Sequence, residues 1–292
     1  MQHIEFFHTD HFESNYHRVK PSPALSGFID FFWQTKFETL WEKYPGGFSD
    51  TLFPNIGYTY LLNLGTPFIM QVGEKSFEMK TDGFLPRHRA IECYHQPGND
   101  IFGIKFKISP VIFKKKINFS EYREFIYPLS YLMEQAVIDK AKKADCFNDR
   151  VIILSEYFQS ITEKHSWEPI RIVSEILQHC DSKNDFITPV EDFAAKYGIS
   201  ARTLQRYFEH TTSLSSKQAL QIMRIRKAAE HLVNSPSDFN STIYGYYDHS
   251  HFYKHLRQFL KKETVKSLQP HLKLLSKLHK VNSNYHQPIS TQ

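Results

Sequence analysis

The sequence predicts an α+β protein, with a β-sandwich or small barrel at the N-terminus, trailing helices, and then an all-α domain. Short apolar segments of alternating polarity fill roughly the first hundred residues. Apolar residues at helical spacing follow from about residue 120, and short helical segments with glycine turns make up the last third. We therefore expect a β-rich domain over residues 1–165, a helical domain over residues 170–278 and a flexible tail over residues 279–292.

The composition is that of a folded protein with a large core. Of the 292 residues, 41% are hydrophobic and 15% aromatic, well above what disordered chains carry. Three widely spaced cysteines exclude a disulfide scaffold and a CxxC pair. No apolar run approaches the ~20 residues that cross a bilayer, and residues 1–20 lack the pattern of a signal peptide. The chain is expected to be cytoplasmic and to have no membrane partner.

Charge is distributed unevenly along the chain. Residues 200–280 hold 14 Lys and Arg against 5 Asp and Glu, whereas the rest of the chain holds 22 against 26. A net charge of +9 in this segment, beside a mildly acidic remainder, is typical of a nucleic-acid-binding module attached to another domain.

Three segments of the first half predict strands. Residues 58–64 are rich in aromatic and apolar side chains and stop at a Gly-Thr-Pro turn signal. Residues 76–80 alternate, with Phe77 and Met79 on one face, and residues 101–108 alternate between apolar residues and lysines. Clusters of Gly, Pro and Asn separate these segments, which fits a sandwich or small barrel.

An amphipathic helix is predicted over residues 149–164. Its apolar stripe has spacings of three, four and three residues and consists of Val151, Leu154, Phe158 and Ile161. This near-heptad stripe suits pairing with a second copy of the chain, and it equally suits packing on the β-domain of its own chain. Residues 165–169 break the pattern and are predicted to link the two domains.

The segment 192–208 has the pattern of a helix-turn-helix unit. A helix ends at Gly198, which can adopt the left-handed conformation of a tight turn, and Ser200 is a favourable N-cap for the next helix. Leu204 and Phe208, four residues apart, are expected to be buried. The free side of this second helix, the recognition helix, then presents Arg202, Gln205 and Arg206. An ordinary helical hairpin with a basic exposed face is the alternative.

The pattern recurs about forty-seven residues later. Gly245 again precedes an N-cap residue, Asp248, and Phe252 and Leu256 match the buried pair of the first unit. Between the units, residues 216–232 predict a connecting helix with one apolar stripe, formed by Ile222, Ile225, Ala229 and Leu232. Two copies joined by one helix favour a pair of helix-turn-helix units over a simple hairpin.

These residues resemble the AraC/XylS-type transcriptional regulators. The resemblance covers roughly residues 172–268, and a strong stretch is Gly245-Tyr-Tyr-Asp248-x-Ser250-His251-Phe252. In that family two helix-turn-helix units, bridged by a long helix, insert into successive major grooves on one face of DNA. The resemblance implies DNA contacts from Ser200, Arg202, Gln205, Arg206, His249, Ser250, His251, Tyr253 and Lys254.

The second unit departs further from the family pattern than the first. Ser241 replaces the usual alanine, and Asn240 stands where an aliphatic residue is usual. The loops that close the two units, at residues 213–216 and 261–264, also differ from the family's Gly-x-Ser-Pro ending. The sequence therefore leaves open how well the second unit packs and whether it binds DNA.

The front of the chain resembles the β-rich sensor domain that precedes the DNA-binding domain in one branch of this family. Matching stretches include Pro54-Asn-Ile-Gly57, Gly83-Phe-Leu-Pro86 and Asp100-Ile-Phe-Gly-Ile-Lys-Phe106. In the family these domains are cupin-like barrels that bind an effector or dimerise, so the resemblance implies a cupin-like N-terminal domain with one of those roles.

No motif indicates an enzyme: the sequence has no nucleophile elbow, P-loop or Rossmann fingerprint. His251 and His255 are four residues apart, but without a Glu or Cys partner His251 fits DNA contact better than a metal site. His255 is expected at the surface, and no cofactor or metal is expected. The Arg87-His88-Arg89 segment is expected to be a solvated loop, with a site for an anionic effector as the alternative.

Double-stranded DNA is the partner that these patterns predict. The sequence leaves open three further partners: RNA polymerase, a small-molecule effector on the N-terminal domain and a second copy of the chain. It also leaves open whether the protein is an activator or a repressor. The alternative function is a ligand-binding or protein-interaction module whose degenerate helix-turn-helix pair docks a protein partner.

Overall fold

The computed structural model describes residues 2–4, 16–35, 37–110, 125–162 and 168–260. The strands within these ranges are β1 (Gln2–Ile4), β2 (Tyr16–Val19), β3 (Ile29–Thr35), β4 (Phe48–Leu52), β5 (Tyr58–Asn63), β6 (Phe68–Val72), β7 (Lys75–Met79), β8 (Gly83–Pro86), β9 (Ile91–His95), β10 (Ile101–Phe106) and β11 (Tyr127–Pro128). The helices are α1 (Glu38–Lys43), α2 (Gln135–Lys143), α3 (Phe147–Thr162), α4 (Glu168–Lys183), α5 (Val190–Lys196), α6 (Ala201–Thr212), α7 (Ser216–Asn234) and α8 (His249–Phe259). Short 3₁₀ helices lie at Pro23–Leu25, Leu129–Tyr131 and Ser241–Tyr244.

The strands form two sheets, with the orders β1-β4-β9-β6-β7 and β11-β8-β5-β10-β3-β2. Leu61 and Leu85 of the second sheet share an apolar core with Met70 and Ile91 of the first. The predicted α+β class is confirmed, and β5, β7 and β10 correspond to the three predicted strands. Of the two architectures that the sequence left open, this is the sandwich, because the described strands form two separate sheets and do not close into a barrel.

Helices α2 and α3 cover the outer face of the second sheet. Leu154 and Phe158 of α3 are 0% and 2% exposed and share a core with Tyr60 and Phe106. The rings of Phe106 and Phe158 lie edge to face with centroids 5.3 Å apart. The apolar stripe of α3 therefore packs on the β-domain of its own chain, and its two central residues are not free to form a dimer seam.

The helices α4 to α8 surround a separate core. Val173 of α4, Leu204 and Phe208 of α6, and Ile225 of α7 belong to it, together with Phe252 of α8. Between residues 168 and 260 the described elements are all helices, joined by turns. Residues 163–167 and 261–292 lie outside the described residues, and with them most of the predicted linker, the closing loop of the second unit and the tail.

The two domains are in direct contact. Phe53 and Ile56, in the loop between β4 and β5, belong to the apolar core of the helical domain, and Phe53 is fully buried. The N–H of Ser109 donates to the carbonyl oxygen of Thr211, near the end of α6, at 2.5 Å. The β-domain therefore contacts the C-terminal end of the first recognition helix.

The expectation of a solvated loop at residues 87–89 is wrong for two of its three side chains. Arg87 and His88 are 4% and 7% exposed. The Nη2 of Arg87 donates to the Phe53 carbonyl at 2.9 Å, and the His88 ring packs edge-on against Tyr58. Arg87 therefore holds the Phe53 loop, which docks on the helical domain.

Within the described ranges, each helix is too short or too polar to cross a lipid bilayer.

Candidate nucleic-acid interface

The turn of the first helix-turn-helix unit forms as the sequence predicts. After α5 ends, Gly198 has a φ of +65°, and the N–H of Ile199 donates back to the carbonyl of Ala194 at 3.1 Å. The Ser200 hydroxyl then accepts from the N–H of Thr203 at 3.1 Å and begins α6. A left-handed glycine followed by a serine N-cap reverses the chain and holds α6 at a defined angle to α5.

Helix α6 has one buried and one exposed face. Leu204 and Phe208 are 0% and 1% exposed, as expected from their spacing. Arg202 and Arg206 are exposed on the opposite face. Each guanidinium presents five N–H donors in a planar fork, which suits bidentate contacts with a base edge or a phosphate.

Gln205 is held by other residues of the chain. Its Nε2 donates to Glu209 Oε1 at 2.7 Å, and its Oε1 accepts from the hydroxyl and the N–H of Ser216 at 2.8 and 3.2 Å. The side chain therefore joins the recognition helix to the first turn of the connecting helix α7. No pattern within α6 predicts this bond, because Ser216 lies beyond the end of that helix.

The two departures of the second unit from the family pattern have different surroundings: Asn240 forms capping hydrogen bonds, whereas the buried Oγ of Ser241 has no hydrogen-bond partner among the described residues. The Asn240 Oδ1 accepts from the N–H of Thr242 at 3.0 Å and caps the 3₁₀ helix Ser241–Tyr244. Ser241 is fully buried, as the alanine it replaces would be, and Gly245 has a φ of +73°. The first helix of this unit is thus a four-residue 3₁₀ turn, shorter than the seven residues of α5.

The second recognition helix, α8, begins at a charged N-cap. The Asp248 Oδ1 accepts from the N–H of His251 at 2.7 Å. Ser250, His251 and Lys254 are exposed on α8, and His249 is half-buried. Three of the five DNA-contact candidates in this unit therefore face solvent on consecutive turns of one helix.

Tyr253 is placed differently from the other candidates. Its hydroxyl oxygen is buried and has no hydrogen-bond partner among the described residues. Burial also raises the pKa of this phenol far above its usual value. The polar end of Tyr253 therefore lies inside the fold, and only its half-buried ring is accessible.

A cluster of Arg224, Tyr246 and His255 between α7 and α8 was not predicted from the sequence. Arg224 of α7 donates from Nη2 to the carbonyl of Gly245, and its guanidinium lies 3.8 Å from the centroid of the Tyr246 ring. The Tyr246 hydroxyl bonds to His255 Nδ1 at 2.7 Å, so His255 is tied to the turn and is half-buried. Burial, with the nearby Arg224 and His251, lowers the pKa of His255 to about 4.

The connecting helix α7 lies between the two units. Its 19 residues correspond to a length of about 28 Å at ~1.5 Å per residue. The predicted stripe is buried: Ile225, Ala229 and Leu232 are each 0% exposed and Ile222 is 4% exposed. Its N-terminus carries a capping box between Ser215 and Gln218, which replaces the family's usual loop ending.

Metal ligands do not cluster in the part of the chain that the structure describes, since no three His, Cys, Asp or Glu side chains come together there. The two histidines with i, i+4 spacing have different surroundings. His251 is exposed near the N-terminus of α8, and His255 is hydrogen-bonded to Tyr246.

No protein-family model matches the chain, and no curated protein matches it. Among solved structures, ToxT from Vibrio cholerae aligns over 84% of this chain and 95% of its own, with 9% sequence identity and a TM-score of 0.41. ToxT bound to (E)-4-(8-methylnaphthalen-1-yl)but-3-enoic acid aligns over the same shares with 10% identity and a TM-score of 0.40. The AraC-like transcriptional activator CuxR aligns over 76% of this chain and 89% of its own, with 11% identity and a TM-score of 0.29. All three alignments have sequence identities of 11% or less and TM-scores of 0.41 or less.

Proposed function

We propose that this chain is a sequence-specific DNA-binding transcriptional regulator that reads two adjacent major-groove segments. The observation that carries the proposal is the pair of capped recognition helices, α6 and α8, each preceded by a left-handed glycine. Each also exposes basic side chains. An α-helix fits the major groove of B-DNA, where such side chains bond base edges and neutralise phosphates.

In the first unit, Arg202 and Arg206 are the proposed base readers. Both are exposed on α6, and an arginine pairs bidentately with O6 and N7 of guanine. The N-terminal end of α6 at Ser200, with its free N–H groups, suits a backbone phosphate. Gln205 can read adenine only if it breaks its bonds to Glu209 and Ser216. We therefore propose that Gln205 orients the recognition helix and does not contact a base.

In the second unit, Ser250, His251 and Lys254 are the proposed contacts. All three are exposed, and they lie within the first two turns of α8. His249 is half-buried beside Phe239, with ring centroids 5.5 Å apart, so its contact would come from the edge of the ring. The buried hydroxyl of Tyr253 is left out of this set.

We also propose that residues 1–165 form an effector-sensing or dimerisation domain and residues 170–278 the DNA-binding domain. The division is supported by the cores, since the buried core residues come from one domain in each case, apart from Phe53, Ile56 and Ile170, which pack into the core of the other domain. A pocket of about 500 Å³ lies at the junction of the two domains, lined in part by Lys105, Lys107 and Gln178. A small molecule bound there would act on α6 through the same junction, because Phe53 and Ser109 contact the helical domain.

Selection of duplexes from a random pool by the purified chain, followed by footprinting on the selected site, tests the DNA-binding proposal. We expect two protected patches on one face of the duplex, centred ~10 base pairs apart, since one polypeptide presents both recognition helices. Protection of one patch by a folded chain would mean that α8 does not enter the groove. Failure to enrich any sequence would reject the proposal.

One observation favours the alternative, a protein-docking role for the second unit. An apolar group is exposed around its turn. Ile243 and Tyr247, on either side of Gly245, are 50% and 88% exposed, and Ile187, from the loop between α4 and α5, lies beside Gly245 and is 71% exposed. The salt dependence of binding separates the two functions, because neutralising phosphates makes DNA affinity fall steeply with salt. Affinity for duplexes that hardly changes with salt would favour the protein partner.

A further inference from the structure

A basic pocket lies between the connecting helix and the second recognition helix. It has a volume of about 310 Å³ and is lined by Gln221, Arg224, His251, Lys254, His255 and Gln258. Among the described residues, no carboxylate lines it. Because two of the lining residues come from α7 and four from α8, the pocket forms only where these helices meet.

Arg224 is the fixed cation of this pocket. Its Nη2 donates to the Gly245 carbonyl, and its guanidinium lies against the Tyr246 ring, so the side chain is positioned from two sides. Its Nε is buried and has no hydrogen-bond partner among the described residues. A positioned guanidinium with an unused, desolvated N–H is strongly stabilised by an oxyanion.

The other lining residues are cations or neutral hydrogen-bonding groups. Lys254 is exposed and adds a second full charge, while Gln221 and Gln258 add amide N–H groups. His255 is bonded at Nδ1 to the Tyr246 hydroxyl. When that hydroxyl donates, the ring N–H of neutral His255 is on Nε2 and is free for another acceptor.

We propose that this pocket binds a phosphate group. Two cations and several neutral donors, with no competing carboxylate, match the charge and acceptor oxygens of a phosphate. The phosphate belongs either to a DNA backbone lying along α8 or to a free phosphate-bearing ligand. Only the first of these sources rests on the proposed DNA-binding function.

The test uses two variants of the full chain that each lower the net charge by one unit. Gln258→Glu places a carboxylate in the pocket lining. Arg257→Gln changes the neighbouring residue, which does not line the pocket. Both side chains are exposed on α8, so both variants are expected to fold, and circular dichroism checks this.

Two measurements are made on each protein. Inorganic phosphate and pyrophosphate are titrated while the imidazole C–H signals of His251 and His255 are followed by NMR. Random-sequence duplex DNA is bound over a range of salt concentrations. In the wild type we expect saturable shifts with pyrophosphate, which Gln258→Glu weakens about tenfold and Arg257→Gln leaves nearly unchanged. We expect Gln258→Glu also to weaken duplex binding about tenfold and to lower the salt slope by about one.

The outcomes separate the pocket from the wider function. Loss of pyrophosphate binding in Gln258→Glu with unchanged duplex affinity supports the phosphate pocket. It would also mean that the phosphate comes from a free ligand and not from a DNA backbone. Pyrophosphate binding by a wild type that binds no duplex supports the pocket and rejects the proposed DNA-binding function. No response to either anion together with unchanged duplex affinity in Gln258→Glu, or equal effects of the two variants, would overturn the proposal.

Discussion

The two turn glycines differ in the space around them. Both have positive φ, +65° at Gly198 and +73° at Gly245, where a residue with a Cβ costs about 1–2 kcal/mol. A Cβ on Gly198 would meet nothing within 4 Å, whereas one on Gly245 would overlap the Cγ2 methyl of Ile187. We expect Gly198→Ala to lower the free energy of unfolding by about 1 kcal/mol and Gly245→Ala to lower it further.

Chemical denaturation measures both changes. Adding Ile187→Ala to the Gly245 variant removes the overlapping methyl and should restore much of the difference. Equal costs for the two single glycine variants would contradict this account.

Gln205 and Arg206 are neighbours on α6 with different environments. Arg206 is exposed, so Arg206→Ala should relax base preference at one position, cost about 1–3 kcal/mol in binding and leave stability unchanged. Gln205→Ala removes the acceptor of Ser216 and should cost about 1 kcal/mol of folding stability. Denaturation and duplex selection with both variants check this. A change of base preference without loss of stability in Gln205→Ala would mean that Gln205 reads a base.

His255 makes the second unit sensitive to acid. The pKa of its imidazole is lowered from 6.5 to about 4, first by burial and then by Arg224 and His251. Between these two pH values the unfolded chain binds a proton at His255 that the folded chain does not. His255 therefore makes the free energy of unfolding rise with pH from about 4 to 6.5, and it has no effect on the pH dependence above 6.5. Unfolding midpoints over this range should show a shallower slope in His255→Gln, and identical slopes would contradict the assignment.

At the scale of whole elements, the start of α8 depends on one carboxylate. Asp248 accepts from the N–H of His251 and places a negative charge at the helix N-terminus. Asp248→Ala should cost about 1 kcal/mol and speed hydrogen exchange in the first turn of α8. Asp248→Asn should cost less, because its amide oxygen can accept the same bond. Equal losses in the two variants would mean that charge, and not the hydrogen bond, is what matters at this cap.

At the scale of the molecule, one aromatic side chain joins the domains. Phe53 is fully buried in the core of the helical domain although it belongs to the β-domain. Phe53→Ala should therefore speed hydrogen exchange in α4 and α6, at a cost of about 3–5 kcal/mol. Phe48→Ala is the matched control, since Phe48 is buried in a separate cluster with Phe37 and Leu40. Similar exchange in α6 for both variants would reject a coupling role for Phe53.

Local signals explain why much of the fold was predictable. Period-two alternation located β7 and β10, and a glycine followed by an N-cap residue located both turns. These features depend on residues a few positions apart, so they can be recognised without knowing the tertiary fold. The same holds for the buried stripe of α7, whose spacing is a property of a single helix.

The amino-acid sequence by itself determined the α+β class, the two capped turns and the exposed arginines Arg202 and Arg206. Only the tertiary structure decided which surface covers the stripe of α3, since an apolar face fits its own sheet and a second chain equally well until the two are docked. It also decided the engagement of Gln205 by Ser216 and the pocket around Arg224. These contacts join separate helices, and their distances depend on how the helices cross, which no spacing within one segment records.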